Sequence, residues 1–284
     1  MPVSLQINWK KMGKIDNGHA QLPVVKMLDD GTARIYVTDR SPENISFIRT
    51  IDFDLSSKTI VSRDVFARGT QNSFDEDGVM TSCLSGGNLY YTAWKKLPHK
   101  KYKHSIAMID IDSRIKSVVI DSTEQDNYLC SSPFIVCHND EKRMWFISGR
   151  DCGGWTDYGP MYTIRHAISR DGINWEQQPI EFKRKDNEVF ARPFVLFENG
   201  LWKMWYSFLF LEKSKCYRIG YAESSDGISW TRLDHLAGLG VSEDGWDSET
   251  VAFPYLIKTN QSEIMFYSGN HFGQGGIGYA VRQV

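Results

Sequence analysis

The chain has 284 residues and a formal net charge of −2, from 33 Lys and Arg against 35 Asp and Glu. A charge so near zero does not indicate a nucleic-acid or anionic-membrane partner, and neither is expected. With 41% hydrophobic and 13% aromatic residues the chain can bury a large core, and one domain of this length is normal for all-β architectures.

An aromatic-rich strand recurs five times along the chain, at intervals of 54 to 61 residues. A repeat of this length is typical of strands arranged radially around an axis. The five copies are RIYVTDR from Arg34, LYYTAW from Leu89, RMWFISGR from Arg143, KMWYSF from Lys203 and IMFYSGN from Ile264.

Each copy has similar neighbours. An apolar run lies about 12 residues upstream, with a proline at Pro23, Pro133, Pro193 and Pro254, whereas the second copy has Thr81 and Ser82 there. A third alternating strand follows each copy. In the third and fourth copies it enters an Asp-Gly turn, a hairpin signal, and Trp175 and Trp230 then begin a fourth strand.

The fifth copy ends after its third strand, and the N-terminal stretch INWKKMG supplies the missing fourth. In this alignment Trp9 takes the place of the two turn tryptophans. Pairing this stretch into the last sheet closes a ring and removes an exposed edge. The pattern predicts an all-β, five-bladed β-propeller as one domain, 1–284, in which the first strand of each blade lines the channel. The blades are expected at about 19–66, 74–121, 128–183, 188–236, and 246–284 with 3–13.

Residues just before the first strands converge around the axis. They are His19, Asp77, Ser132, Glu188 with Arg192, and Asp247 with Glu249. Like-charged carboxylates in one funnel raise one another's pKa, so one can act as an acid while another stays ionised. Cleavage of a glycosidic bond needs such a pair. Asp77, Glu188 and Glu249 are therefore the catalytic candidates. Capping of turns or pairing with arginine is the alternative for each.

The ends of the aromatic strands supply a second group of candidates for substrate binding. Aromatic faces stack on sugar rings, and Arg or Asn can fix hydroxyls or anionic groups. Blade packing is the alternative for each aromatic, and pairing with the carboxylates is the alternative for the arginines. These candidates are Asp39, Arg40, Trp94, Arg150, Tyr206 and Asn270, with Trp155 in the loop GRDCGGWTDYGPMY.

Further signals concern metals and location. The seven histidines show no ligand spacing, so neither a metal nor a cofactor is expected. The five cysteines contain no CxxC pair and their number is odd, which favours a reducing compartment. No signal pattern and no apolar segment of membrane-spanning length is found, so a cytoplasmic protein is expected.

The repeats and the carboxylate funnel resemble the five-bladed propeller glycosidases of the arabinanase and xylosidase type (glycoside hydrolase family 43) and the related mannoside phosphorylases. At the arabinanase catalytic positions this chain has His19-Ala20-Gln21, Ser132 and Ala191-Arg192. The phosphorylase Glu-Asp-Pro-Arg motif corresponds to Glu76-Asp77-Gly78-Val79, which keeps the acid and lacks the phosphate-binding arginine. HAQLPVV, FDEDGVMTSC, ARPFVL and GWDSETVAFP resemble most an uncharacterised bacterial branch associated with polysaccharide gene clusters.

Three hypotheses follow. The first is a glycoside hydrolase, with Asp77 or Glu188 as general acid, Glu249 as base or water-orienting group, and Arg40, Arg150 and Arg192 binding a sugar or an attached anionic group. The second is a phosphorylase or glycosyl transfer enzyme that uses the same carboxylates, with a sugar nucleotide among its possible ligands. The third is a non-catalytic propeller that binds a glycan or a protein.

Overall fold

The protein is described by a computed structural model, which covers residues 9–98, 102–213, 216–259 and 261–283. Nearly all regular structure is β-strand, and none of the helices in these segments is long and apolar enough to cross a membrane. The strands form five four-stranded antiparallel units that follow one another along the chain.

The first two units use consecutive strands, after an N-terminal strand β1 (Lys10–Lys14). A single parallel bridge between Ser46 and Gly78 joins the two units into one larger sheet. The first unit contains β2 (Gln21–Met27), β3 (Thr32–Arg40), β4 (Ser46–Asp54) and β5 (Thr59–Ala67). The second contains β6 (Gly78–Ser85), β7 (Asn88–Lys96), β8 (Tyr102–Asp110) and β9 (Lys116–Ile120).

The third unit carries a small extra hairpin in the loop between its second and third strands. Its strands are β10 (Cys130–His138), β11 (Glu141–Ser148), β14 (Thr163–Ser169) and β15 (Glu176–Gln178), and the hairpin is β12 (Trp155–Thr156) with β13 (Gly159–Pro160). The fourth unit contains β16 (Glu188–Glu198), β17 (Leu201–Phe210), β18 (Arg218–Ser224) and β19 (Thr231–Arg232).

The fifth unit is completed by the start of the chain. It contains β20 (Ala252–Lys258), β21 (Ser262–Ser268) and β22 (Ile277–Gln283), and β1 pairs with β22 as the fourth strand. Trp9, directly before β1, is buried in the same way as Trp230 before β19. Short helical turns lie at Glu124–Asp126, Asp234–Leu236 and Asn270–Gly273.

The first strands of the five units form a closed ring. β2 contacts β6, β6 contacts β10, β10 contacts β16, β16 contacts β20, and β20 returns to contact β2. The aromatic second strands pack between neighbouring units, and their side chains, such as Trp145, Trp205 and Phe266, are fully buried. This arrangement is a β-propeller, so the predicted all-β propeller closed by its N-terminal strand is confirmed.

Every first strand is interrupted by a β-bulge near its start. The register shifts occur at Gln21/Val24, Thr81/Cys83, Ser131/Phe134, Ala191/Phe194 and Ala252/Tyr255. Where a proline follows, the residue before it has a left-handed backbone, with φ of 56° at Leu22, 52° at Ser132 and Arg192, and 58° at Phe253. Proline fits there because a bulged position needs no ladder N–H donor. Because all five bulges are near the starts of the first strands, the side chains next to them lie together at one end of the axis of the ring.

Candidate functional site

A cavity of about 370 Å³ lies at the bulged end of the five first strands. Residues next to the bulges form its base, and the ends of second and third strands form its walls. The hairpin β12–β13 and the turn at Asn270–Gly273 add the rim. The residues that line it are Gln21, Leu22, Arg40, Met80, Thr92, Tyr102, His104, Leu129, Ser131, Ser132, Ile147, Tyr158, Gly159, Pro160, Tyr162, Ala191, Leu209, Leu211, Tyr217, Phe253 and Phe272.

The two sides of the cavity differ in chemistry. The first and second units contribute Gln21, Arg40, Thr92 and His104, which carry a cation and several hydrogen-bonding groups. The fourth and fifth units contribute mainly apolar and aromatic side chains, namely Ala191, Leu209, Leu211, Tyr217, Phe253 and Phe272. A ligand with one polar edge and one apolar face would match this division.

Arg40, at the end of β3, is the cation of the polar side. Its Nη1 donates to the Asn44 side chain at 3.0 Å and to the Asn44 carbonyl at 3.3 Å, and its Nη2 lies 3.8 Å from the Met80 sulfur. With the Gln21 amide oriented so that both of its ends have partners, its oxygen accepts from Arg40 Nε at 3.3 Å and its nitrogen donates to the Phe272 carbonyl at 2.8 Å. Burial lowers the pKa of Arg40.

His104 lies on the neighbouring strand β8 and stacks on Tyr102, with ring centroids 4.6 Å apart. Burial, and after it the charge of Arg40, lowers the pKa of His104 to about 3. The imidazole is therefore neutral at pH 7, so it can take part in hydrogen bonds without adding a second charge.

Tyrosines form much of the wall on the third and fourth units. The hydroxyls of Tyr162 and Tyr217 are 2.7 Å apart, and burial raises the pKa of both. Tyr102 meets the ring of Trp155 edge to face at 5.0 Å. Trp155 therefore supports a cavity residue from behind and does not line the cavity itself.

Arg192 closes the channel beneath the cavity. It is almost fully buried, and its guanidinium crosses the axis from β16 to donate to the carbonyls of Thr81, Leu22 and Pro23, the last at 2.9 Å. Burial lowers the pKa of Arg192 to about 10. This residue was predicted to bind substrate, but the structure directs its side chain to backbone carbonyls because the bulge turns it toward the first and second units.

Asp77, directly before β6, is outside the lining of the cavity. Its carboxylate is 3.2 Å from Lys96 Nζ and accepts a hydrogen bond from the Lys96 backbone at 2.6 Å. Trp94, on the adjacent strand, donates to Ser46 at 2.6 Å, and its ring lies 5.9 Å from both the Arg40 guanidinium and Lys96 Nζ. Trp94 therefore lies next to Arg40, whereas the Asp77 carboxylate is directed to Lys96.

Glu249 lies on the opposite rim, in the loop before β20. Its side chain is 54% exposed and is 3.8 Å from His271, the neighbour of the cavity residue Phe272. The Asn270 side chain accepts hydrogen bonds from the backbone N–H groups of Glu249 and Thr250 and so fixes this loop. Asn270 therefore orders the loop that carries Glu249, and its contact with substrate stays a prediction.

Glu188 is not in the cavity. Its carboxylate is fully buried behind β16, where Arg232 donates to both oxygens at 2.7 Å. Tyr206 lies in the same cluster, where its hydroxyl contacts Asp234 and accepts from Arg232 Nε at 2.9 Å. The alternation of side chains along β16 explains this position, because Ala191 points to the cavity and Glu188 to the opposite face.

His19 and Asp39 form a polar group next to Arg40. The His19 ring is 3.7 Å from the Asp39 carboxylate and 3.2 Å from the Phe272 carbonyl. Arg49 joins Asp39 and Asp16 at 2.7 Å each. Burial lowers the pKa of His19, although Asp39 raises it. These side chains stand behind the cavity wall.

The remaining candidates are committed to other contacts. Arg150 pairs with Asp126 at 2.9 Å and bonds to Gln125, and Asp247 accepts from Lys11 at 2.6 Å and from Tyr267 at 2.9 Å. Asp247 thus links the N-terminal strand to the fifth unit. Among the residues that the structure describes, no group of three or more His, Cys, Asp or Glu side chains is placed to hold a metal ion.

Of the site residues predicted from sequence, Ser132 of the converging ring and Arg40 line the cavity directly. Sequence reasoning missed Gln21, His104, Tyr162, Tyr217 and Phe253 as individual candidates. For Gln21 and Phe253 a signal existed, because each lies within two residues of a blade proline. For the two tyrosines and His104, no signal in the chain distinguishes them from packing residues.

Comparison with known proteins adds a family and a fold. No family model matches the chain. The uncharacterised protein Rv1502 of Mycobacterium tuberculosis (strain ATCC 25618 / H37Rv) is 31% identical over 301 residues, an alignment that covers 96% of this chain and 98% of Rv1502.

Two solved structures share the fold at low identity. A thermostable family-43 glycoside hydrolase superposes with a TM-score of 0.65 at 12% identity, covering 96% of this chain and 92% of its own. An α-L-arabinanase of Penicillium chrysogenum, solved with arabinobiose, superposes with a TM-score of 0.60 at 13% identity and covers 99% of both chains. The chain therefore belongs to the protein family of mycobacterial Rv1502, and its fold is the β-propeller of the family-43 glycoside hydrolases.

Proposed function

We propose that this protein is a carbohydrate-active enzyme of the glycoside-hydrolase type, which holds a sugar in the axial cavity. The observation that carries the proposal is the cavity itself, at the axis of a propeller whose fold the glycoside hydrolases share. Its volume of about 370 Å³ and its aromatic wall with a few convergent polar groups are those of a small-molecule site. The aromatic rings of Tyr217, Phe253 and Phe272 would stack on a sugar face, and the polar side would bind hydroxyls.

Asp77 and Glu249 are the catalytic carboxylates in this proposal, because each is close to a lining residue along the chain or in space: Asp77 directly precedes β6, which contributes Met80, and Glu249 contacts His271, next to Phe272. One acid protonates the leaving oxygen while the other carboxylate activates water or attacks the sugar. We assign the acid role to Asp77 and the base role to Glu249. Catalysis by Glu188 remains a prediction, and its closed pair with Arg232 favours a stabilising role instead.

The proposal also covers the number of blades and the charge of the sugar. The five four-stranded units are the five blades, with the boundaries expected from the repeats, and the closed ring of first strands supports this division. The sugar carries an anionic group, as the cation on the cavity wall suggests.

A second function is favoured by one specific observation. Among the described residues that line the cavity, none is Asp or Glu, so the acid and base would have to reach in from the rim. A propeller that binds a glycan without cleaving it would need no carboxylate in its cavity.

The test is turnover and binding with a panel of aryl glycosides and oligosaccharides, using the full chain. We expect Asp77→Asn and Glu249→Gln each to lower kcat by about 100-fold or more, the usual contribution of general acid–base catalysis, while substrate still binds. Glu243→Gln, at an exposed position, serves as the matched control and leaves kcat unchanged.

Other results would separate the alternatives. Turnover that is unchanged in both variants would remove these two carboxylates from catalysis. Binding without turnover in the parent protein would establish the glycan-binding function, and a rate that depends on phosphate would indicate phosphorolysis.

A further inference from the structure

Within the described part of the chain, the donor groups of Arg40 are only partly used. Nε and Nη1 have oxygen acceptors in Gln21 and Asn44, whereas Nη2 contacts the Met80 sulfur at 3.8 Å. A thioether is a weak acceptor, and a guanidinium offers five N–H donors in a planar fork. Among the described residues, the N–H groups on Nη2 therefore have no oxygen acceptor, and they remain able to donate at the cavity wall.

The charge of Arg40 also lacks a partner within the described part of the chain. No carboxylate there lies within ion-pair distance of its guanidinium, and the adjacent Asp39 pairs with Arg49 at 2.7 Å. The segments that the structure does not describe contain no Asp or Glu. A half-buried cation without a counter-charge is costly unless a ligand supplies one.

Among the described residues that line the cavity around Arg40, none carries a negative charge. His104 is neutral at pH 7, and the nearby lining groups Thr92, Ser131 and Ser132 are uncharged. Asp77 of the second unit is outside the lining and contacts Lys96. A cavity that presents one cation and no lining carboxylate attracts an anion.

The cavity also fixes where that anion would be on the ligand. Arg40 and the polar groups occupy the side of the first and second units, and the aromatic side chains occupy the fourth and fifth. A sugar ring that stacks on the aromatic side would therefore point one substituent toward Arg40.

We infer that Arg40 is the anion-binding residue of the cavity and that the ligand is an acidic sugar, with a carboxylate or phosphate substituent bound by the free edge of the guanidinium. This inference rests on the proposed function, since it places the sugar in the same cavity. Gln21 is a positioning residue in this site, because its amide holds Arg40 Nε and is itself held by the Phe272 carbonyl.

The experiment is isothermal titration calorimetry of the full chain at pH 7 with sugars that differ only at C6. Glucose, glucuronate and glucose 6-phosphate form one series, and the galactose and mannose analogues form two more. In the series that binds, we expect the acidic sugar to bind about 10- to 100-fold more tightly than the neutral one, the range for a hydrogen-bonded charged group. The carboxylate and phosphate arms show which anion is preferred.

Two variants assign the effect to Arg40. Arg40→Met removes the charge and abolishes the preference for the acidic sugar. Arg34→Met is the matched control, since Arg34 is on the same strand and pairs with Asp52 at 2.7 Å away from the cavity, and it keeps the preference. Should Arg40→Met fail to fold, Gln21→Glu gives Arg40 an internal counter-charge and abolishes the preference in the same way.

The outcomes distinguish this inference from the proposed function. Equal affinity for neutral and acidic sugars in the parent protein, or a preference that survives in Arg40→Met or Gln21→Glu, overturns the inference and leaves the sugar site intact. Absence of binding across all three series overturns both.

Discussion

Arg232 is not among the candidates selected from the sequence, yet its contacts explain why the candidate Glu188 lies outside the cavity. Its guanidinium binds both Glu188 oxygens at 2.7 Å, Asp234 at 2.8 Å and the Tyr206 hydroxyl at 2.9 Å. Although burial lowers the pKa of Arg232, its hydrogen bonds to Glu188 and the neighbouring negative groups raise it overall. This cluster joins the start of β16 to β19 and therefore contributes to stability and not to the cavity.

Arg232→Met is expected to lower the free energy of unfolding by about 3–5 kcal/mol, because the fully buried Glu188 carboxylate loses its counter-charge. Urea unfolding measures the loss. Asp151→Asn is the control, since Asp151 is 79% exposed in its pair with Arg165 and should change stability by about 1 kcal/mol or less. Equal losses of stability in the two variants would show that burial of the Glu188–Arg232 pair does not increase the cost of breaking it.

At the scale of an element, the Asp-Gly turn of the fourth unit ties a hairpin to its neighbour. Asp226 accepts backbone hydrogen bonds from Ile228 and Ser229, and these bonds lower the pKa of Asp226. The Gly227 carbonyl accepts from the indoles of Trp230, at 3.0 Å, and Trp145 of the third unit, at 3.1 Å. The turn therefore connects two units through the two tryptophans.

Gly227→Ala should be more destabilising than Gly200→Ala, although both glycines have nearly the same backbone, with φ of 77° and 78°. Each variant bears the cost of a left-handed residue with a Cβ, about 1–2 kcal/mol. At Gly227 a Cβ would also lie 3.3 Å from Arg143 and Trp145, whereas at Gly200 nothing lies within 4 Å. Overpacking adds about 1–3 kcal/mol at Gly227 alone. Thermal unfolding of both variants checks the difference, and equal melting temperatures would contradict it.

At the scale of the whole molecule, the ring depends on the pairing of β1 with β22. Lys10 is opposite Val281, and Lys11 also binds Asp247 at 2.6 Å. The guanidinium carbon of Arg282 lies over the Trp9 ring, 4.8 Å from the ring centroid. These contacts cover the edge of β22, which would otherwise be free to pair with another chain.

Deletion of residues 1–14 should lower the melting temperature and cause self-association, because it exposes that edge. The matched control is a circular permutant that carries residues 1–14 after residue 284 through a short linker. The end of β22 lies beside the start of β1, so the permutant can form a hairpin and should keep the oligomeric state of the parent, with a melting temperature near that of the parent. Light scattering with thermal unfolding measures both properties, and a deletion variant as stable as the permutant would contradict the role of β1.

The repeat of strands and the fold were readable in the chain because they depend on local patterns. The aromatic second strands, the Asp-Gly turns and Trp9 each mark a position in a repeated unit, and the structure places them in equivalent positions. The prolines at 23, 133, 193 and 254 marked the ends of the first strands that form the cavity base. For this reason Ser132 and the neighbourhood of Gln21 could be located from sequence.

The contents of the site could be predicted less well, and the reason is geometric. Along β16 Glu188 and Ala191 lie on opposite faces, and a bulge between Ala191 and Phe194 turns Arg192 into the channel. Spacing from a proline gives the distance along a strand but not the face on which a side chain lies, since a bulge shifts the alternation. Likewise Arg232 is 44 residues from Glu188, and no local pattern predicts their pairing.

Patterns in the chain were enough to predict the all-β propeller, its closure by the N-terminal strand and the end of the axis at which the cavity lies, because each depends on short-range periodicity. The tertiary structure alone decided that Arg40, His104 and the tyrosines of three units meet in one cavity while Glu188 is closed by Arg232. These contacts depend on the angle between neighbouring units and on the strand face that carries each side chain, and packing across the whole ring sets both.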